Sequence, residues 1–144
     1  MNINSISVQG TNCIWRQNEV DIEIQRVFDL LNNERFRAGL SLLRLNSQLI
    51  AAAQAHSNDM ARHHRLSHTG SDGSSMEDRM RRYGYNYRWA GENIAYGQTS
   101  AQEVMQSWMN SAGHRQNILN PNFRDVGIAY AYGNTFYWTQ NFGA

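Results

Sequence analysis

"VGIAYAYGNTFYWTQNF", Val126–Phe142, decides the fold. Val126, Ile128, Tyr130 and Tyr132 alternate with Gly127, Ala129 and Ala131. Such alternation gives an extended strand two different faces. Gly133-Asn134 reads as a two-residue turn, and Phe136, Trp138, Gln140 and Phe142 alternate on the return strand. A lone hairpin is marginal in water, so helices are expected to cover it on both sides.

Those helices are sought upstream. Val20, Ile24, Val27, Phe28 and Leu31 recur at helical spacing, with Asn18 as candidate N-cap and Gly39 as the stop. Leu42, Leu43 and Leu45 read as a short extended connector. A second helix follows Asn46, its N-cap, with Leu49, Ala52, Ala53, His56 and Met60 on one face, and runs to about His63. "SHTGSDGSS", Ser67–Ser75, is a turn-rich loop; Ser75 with Asp78 opens a short third helix that Gly84 ends. "AGENIAYG" is too short and glycine-bounded for a helix, and Asn93–Tyr96 reads as strand or loop. Ser100 and Glu103 form a capping box before the stripe Ala101, Val104, Met105, Trp108 and Met109. Gly113 is expected to end that helix, and Asn120-Pro121 the short turn after it. Four helices, an early strand and a hairpin predict an α+β fold: a three-layer α-β-α sandwich around a small, mostly antiparallel sheet. Residues 1–17 read as an irregular arm and 18–144 as one domain.

Composition narrows the function. The chain has 144 residues, 41% hydrophobic, 17% charged and 11% aromatic, the balance of a globular domain. All 13 basic residues are Arg, and the net charge is +1. Charge is uneven, with two Arg against five acids in residues 1–34 and six Arg against three acids in residues 62–88. No sustained basic stripe or recognisable module points to nucleic acid. No apolar run reaches the length of a membrane span. Cys13 is the single cysteine, which excludes an internal disulfide and a Cys-based zinc site. The first residues lack the basic and apolar regions of a signal peptide.

Two imidazoles and a carboxylate stand out. His114 follows Gly113, His68 leaves the second helix in "LSHTG", and Glu92 sits in "GENIA". Each histidine reads either as a local hydrogen-bonding group or as a metal ligand or general base, and Glu92 either as an exposed loop charge or as a deliberately placed acceptor. All three fall at element ends, positions that converge at sheet edges in compact folds. The other histidines are weaker candidates. His56 and His63 lie about 10.5 Å apart along their helix, too far for one metal. His56 reads as a hydrogen-bonded core residue, and His63 and His64 as solvent-facing. No H-E-x-x-H, G-x-S-x-G or phosphate-binding glycine loop is present.

"LSHTG", "GENIA", "GHRQNILNP" and "YWTQNFG", in this order, resemble the CAP superfamily, also called the SCP or pathogenesis-related-1 domain. The similarity runs from about Val20 to the C-terminus and is nearest the bacterial branch. The resemblance implies an α-β-α sandwich whose cleft holds two His and two acids, the His pair able to bind a divalent metal, often zinc. His68 matches the first histidine, Glu92 the first acid and His114 the second histidine. The second acid's position is Ser111, at most a hydrogen-bond partner. Glu103 lies about 12 Å back along the helix and cannot replace it. Asn93 is counted with Ser111 among the cleft groups.

The preferred reading is a secreted-type binding or scaffolding module. Its cleft weakly holds Zn²⁺ or another divalent cation through His68 and His114. The alternatives are a metal-dependent, peptidase-like hydrolase using His68, Glu92 and His114, and a lipid-binding protein. Aromatic walls from Tyr83, Tyr85, Tyr87, Trp89 and Tyr96 are expected beside the cleft. The expected partner is an extracellular protein, peptide, glycan or lipid, and the expected state a monomer. Location is expected outside the cell or in its envelope; the cytoplasm stays open.

Overall fold

The computed structural model describes residues 22–144. Helix α1 is described over 22–37. It is followed by β1 (Arg44–Leu45), α2 (Ser47–His63), α3 (Met76–Arg82), β2 (Ala90–Tyr96), α4 (Ala101–Met109), α5 (Ala112–Ile118), β3 (Asp125–Tyr132) and β4 (Phe136–Gly143). Asn18, Val20, Cys13 and the 1–17 arm lie outside the described residues.

The sheet order is β1-β3-β4-β2. β4 pairs antiparallel with β3 and β2, while β1 pairs parallel with β3. Helices cover both faces, so the chain adopts the three-layer α-β-α arrangement of an α+β fold. On one face Val27 and Leu31 of α1, Val104 and Trp108 of α4, and Ile118 of α5 pack on Val126, Ile128, Trp138 and Phe142. On the other, Met60 and Ala61 of α2 meet Ile94 and Tyr137, while Leu49 meets Met80 of α3 and Tyr85.

The alternation in β3 acquires its physical meaning here. Its large residues face the α1/α4 layer, and its small ones let α2 lie almost on the strand. A Cβ added to Gly127 would sit 2.1 Å from the Leu49 carbonyl carbon.

Four expectations need correction. The hairpin loop has three residues, with Tyr132 opposite Phe136 and the Gly133 N–H donating to Thr135 O at 2.9 Å. Gly133 does not take the positive φ a two-residue turn demands. It is needed because its Cα abuts α2: a Cβ there would lie 2.1 Å from Ala61 O. Second, α4 stops at Met109, before Gly113. Ser111 turns extended (φ −111°, ψ 123°) and restarts the chain as α5, which contains Gly113 and makes five helices among the described residues. Third, β2 begins at Ala90, because β4 is long enough to pair Gly143 with it. Glu92 is thus inside a strand, not between elements. Fourth, Ser100 Oγ accepts from Glu103 N at 3.2 Å, but the Glu103 carboxylate reaches back to Thr99 N at 3.1 Å instead of closing a box on Ser100. The Ser75–Asp78 box is complete, and Asn46 caps α2 as expected.

Edge strand β2 is shielded by side chains. Asn117 Nδ2 donates to Glu92 O at 3.2 Å and Trp108 Nε1 to Ile94 O at 3.1 Å, occupying carbonyls that would otherwise invite another strand. Arg35, fully buried, ties α1 to the far end of the same layer by donating to the carbonyls of Ser41 (2.8 Å), Ile118 (2.9 Å) and Asn120 (2.9 Å).

Gly127→Ala should drive a methyl into the α2 backbone and cost about 1–3 kcal/mol, as overpacking does. Chemical denaturation will measure it, and Gly113→Ala, with nothing within 4 Å of its added Cβ, is the control.

Candidate functional site

"GEN" in β2 and "TQN" in β4 lie side by side, with Glu92 opposite Asn141 and Asn93 opposite Gln140. Neighbouring residues of a strand point to opposite faces, so the two pairs part company. Glu92 and Asn141 face the α2/α3 layer. Asn93 faces α5, fully buried. It donates to His114 O at 3.1 Å and Gln140 Oε1 at 3.2 Å, and accepts from Asn117 Nδ2 at 2.9 Å.

Glu92 is a buried anion, its side chain 1% exposed. Its Oε2 accepts from Arg79 at 2.8 Å and from Asn141 Nδ2 at 2.9 Å. Its Oε1 accepts from His68 Nδ1 at 2.9 Å, and His56 Nε2 stands 3.9 Å away. Burial pushes the carboxyl up, but the His68 hydrogen bond, the charges of Arg79 and His56 and the Asn141 amide outweigh it. The net value is lowered, and Glu92 stays ionised.

An ionised carboxylate only accepts, so His68 Nδ1 carries the hydrogen. The His68 ring, its side chain 62% exposed, therefore turns Nε2 outward. Its pKa is raised, first by the hydrogen bond to Glu92 and then, against burial, by the same carboxylate's charge.

The loop that carries His68 is pinned from below. Arg79, its side chain 4% exposed, donates to His68 O at 3.0 Å and to Ser74 O at 2.9 Å as well as to Glu92. His56 Nε2 donates to Ser67 O at 2.7 Å, which bears out its reading as a hydrogen-bonded core residue.

A groove of about 350 Å³ opens here, lined by His68, Thr69, Met76, Gly91, Glu92 and Asn117 among others. His114 is not among its lining residues. It sits in the first turn of α5, half-buried, with Nδ1 buried and without a hydrogen-bond partner among the described residues. Its pKa is lowered, first by burial and then by the positive charge of His68. Ser111 occupies the N-cap of α5 but makes no side-chain cap bond.

No Tyr, Trp or Phe is among the residues lining the His68 groove, although Tyr83, Trp89 and Tyr96 are exposed as expected. Tyr85 is buried under the sheet, donating to Asp125 at 2.8 Å, and Tyr87 packs beside it. Among the described residues, no three or more His, Cys, Asp or Glu are grouped so that they could hold a metal ion.

Two central residues escaped the sequence reading, Arg79 and Asn141. Each left a signal. Arg79 lies on the α3 face that buries Met76 and Met80, where an unpaired cation would be costly. Thr139-Gln140-Asn141 places three consecutive polar residues in a strand that is buried on both faces, and such groups require partners.

With fold and site described, the class is clear: an α-β-α domain with a histidine–carboxylate pair at its sheet edge. The chain belongs to the CAP family, described as the cysteine-rich secretory protein family, whose model matches residues 28–142. It is 42% identical over 118 residues to the Bacillus subtilis (strain 168) protein YkwD, covering 82% of this chain and 46% of that protein. It is 32% identical over 128 residues to the membrane protein YlbC of the same organism, covering 89% of this chain and 36% of that one. Among solved structures it resembles an extracellular protein containing an SCP domain from Bacillus anthracis, with TM-score 0.80 and 36% identity over 86% of this chain and 41% of that one. The chain thus spans less than half the length of these relatives. Among the described residues, no helix is long and apolar enough to cross a membrane.

In an NMR pH titration, His68 should titrate above the ordinary 6.5 and His114 below it. Glu92→Gln should remove the upward displacement of His68, leaving burial and the Arg79 charge to lower it. Arg79→Ala should strand the buried carboxylate and cost about 3–5 kcal/mol in denaturant unfolding. Because the Glu92 value is lowered on folding, its contribution is present above the ordinary 4.5 and is lost as pH falls through the folded value. The acid limb of the stability profile should therefore be shallower in Glu92→Gln.

Proposed function

We propose that the His68 cleft is a recognition site of an extracellular binding module and not the centre of a hydrolase. The commitment of Glu92 carries this reading. Both of its oxygens already accept hydrogen bonds, from Arg79, Asn141 and His68, and the side chain is buried. A general base must reach the proton it removes and sit near the working pH. Glu92 is engaged instead in orienting His68, as carboxylates do behind metal-binding or ligand-binding imidazoles.

That orientation suits a divalent cation such as Zn²⁺. His68 through Nε2, together with His114, would hold it, and the buried Nδ1 of His114, without a hydrogen-bond partner among the described residues, supports that reading. The bound cation would supply an electrophilic contact for an oxygen or nitrogen of the ligand. Two imidazoles make such a site weak, since zinc enzymes generally use three protein ligands. A setting outside the cell is supported by the solved relative described as extracellular.

Calorimetric titration with zinc chloride should show one weak site in the wild-type chain, absent in His68→Ala and in His114→Ala, both with unchanged circular dichroism. Equal zinc binding by wild type and variants rejects the metal reading. Cleavage of a peptide library, abolished by chelator and by Glu92→Gln, would overturn the binding reading.

A further inference from the structure

The outward groups of edge strand β2 follow from its register with β4. Trp89 and Ala144 exchange both backbone bonds, at 2.9 and 3.0 Å, and Gly97 N donates to Phe136 O at 2.9 Å. Bonded and non-bonded pairs alternate along an antiparallel ladder, so Gly91, Asn93 and Ala95 bond to β4. Ala90, Glu92 and Ile94 therefore turn their N–H and C=O groups away from the sheet.

The side-chain shield on that edge has a gap. Asn117 covers Glu92 O and Trp108 covers Ile94 O. The N–H and C=O of Ala90 and the N–H of Glu92 have no partner among the described residues, although Glu92 is only 6% exposed. Backbone groups of residues so little exposed are nearly always paired. The gap coincides with the cleft, since Ala90, Gly91 and Glu92 line the His68 groove. That groove also carries an unmatched carboxylate. Glu77 lines it from the first turn of α3 and makes no hydrogen bond or ion pair among the described residues. Its neighbour Asp78 closes the Ser75 capping box, Arg79 balances Glu92, and no arginine lines the groove.

We propose that this gap docks a short extended peptide, added to β2 as an extra strand, with a basic side chain toward Glu77. In an antiparallel register, a ligand residue opposite Ala90 exchanges both backbone bonds with it, and the residue two before accepts from the Glu92 N–H. This pattern uses all three free groups, and peptide addition to a sheet edge draws its affinity from such main-chain bonds. Asn117, seated on Glu92 O, blocks the next return bond and keeps the added strand short. A glycan or lipid offers no repeating amide to match the gap. Charge complementarity sets the sign of the side chain, since an acidic one would bring a second carboxylate into the groove with Glu77. The inference rests on the recognition reading of the cleft and names its ligand class, but it uses backbone groups and Glu77 instead of the imidazoles.

The test uses the intact chain, ¹⁵N-labelled and titrated with a blocked valine-lysine-valine tripeptide, with its fully N-methylated analogue and with valine-glutamate-valine. The lysine tripeptide should move the amide protons of Ala90 and Glu92 downfield and slow their exchange with solvent, since each gains an acceptor. The N-methylated and glutamate analogues should bind about fivefold more weakly, as the loss of one hydrogen bond or ionic contact implies. Ala90→Pro removes one donor and fills the edge, a change strands tolerate where the N–H points out of the sheet. It should abolish binding with circular dichroism unchanged. Glu77→Lys should reverse the preference between the lysine and glutamate tripeptides, and it decides the matter if the proline variant does not fold. Equal binding of the N-methylated analogue, spectra in which Ala90 and Glu92 do not move, or an unreversed preference in Glu77→Lys overturns the proposal. Cleavage of the tripeptide that chelator stops would sink the recognition reading and leave the docking edge. Unmoved Ala90 and Glu92 amides, with no cleavage and with zinc bound as expected, would sink the docking edge alone.

Discussion

One buried carboxylate organises this protein. Glu92 lies in the interior of an edge strand, under two helices, where an unmatched charge would cost several kcal/mol. Its partners come from α3 (Arg79), from β4 (Asn141) and from the loop after α2 (His68), with His56 of α2 close by. Satisfying the charge therefore fixes how these elements meet. Arg79 extends the same network to the carbonyls of His68 and Ser74, so the wall of the cleft is held by the group that neutralises its floor. Stability and site are here a single interaction.

A second buried cation, Arg35, shows the contrast. It faces only carbonyls, those of Ser41, Ile118, Asn120 and Phe123, and joins chain segments in the opposite layer. It leaves no group oriented toward solvent. The Arg79 network does, because one of its members is an exposed imidazole whose inner nitrogen alone is engaged. The two networks differ in that one end of the Arg79 network reaches water.

The sheet sets the reach of that site. Small residues on one face of β3 bring α2 close, and with it the loop bearing His68, which the Ser71–Asp59 hydrogen bond ties to that helix. On the other face, Trp108 of α4 and Asn117 of α5 bond the edge of β2, and Asn117 ties α5, which carries His114, to it. The two imidazoles thus approach one strand edge from opposite layers.

The sequence by itself determined the layers, since they follow from local periodicity: two-residue alternation in Val126–Phe142, helical stripes in α2 and α4, caps at Asn46 and Ser75. It also marked His68, Glu92 and His114 through ordered motifs. Tertiary structure alone decided what these residues do. Asn93 and Glu92 are neighbours in sequence but face different layers, and only the register with Gln140 and Asn141 shows which faces the cleft. Arg79 reads as one surface arginine among thirteen basic residues until the fold buries it against a carboxylate thirteen positions away. Gly113 reads as a helix stop because an isolated glycine is ambiguous; the break falls at Ser111, whose backbone is extended before α5 begins. Periodicity is a property of neighbours along the chain, whereas the balance of a buried charge depends on residues brought together from afar.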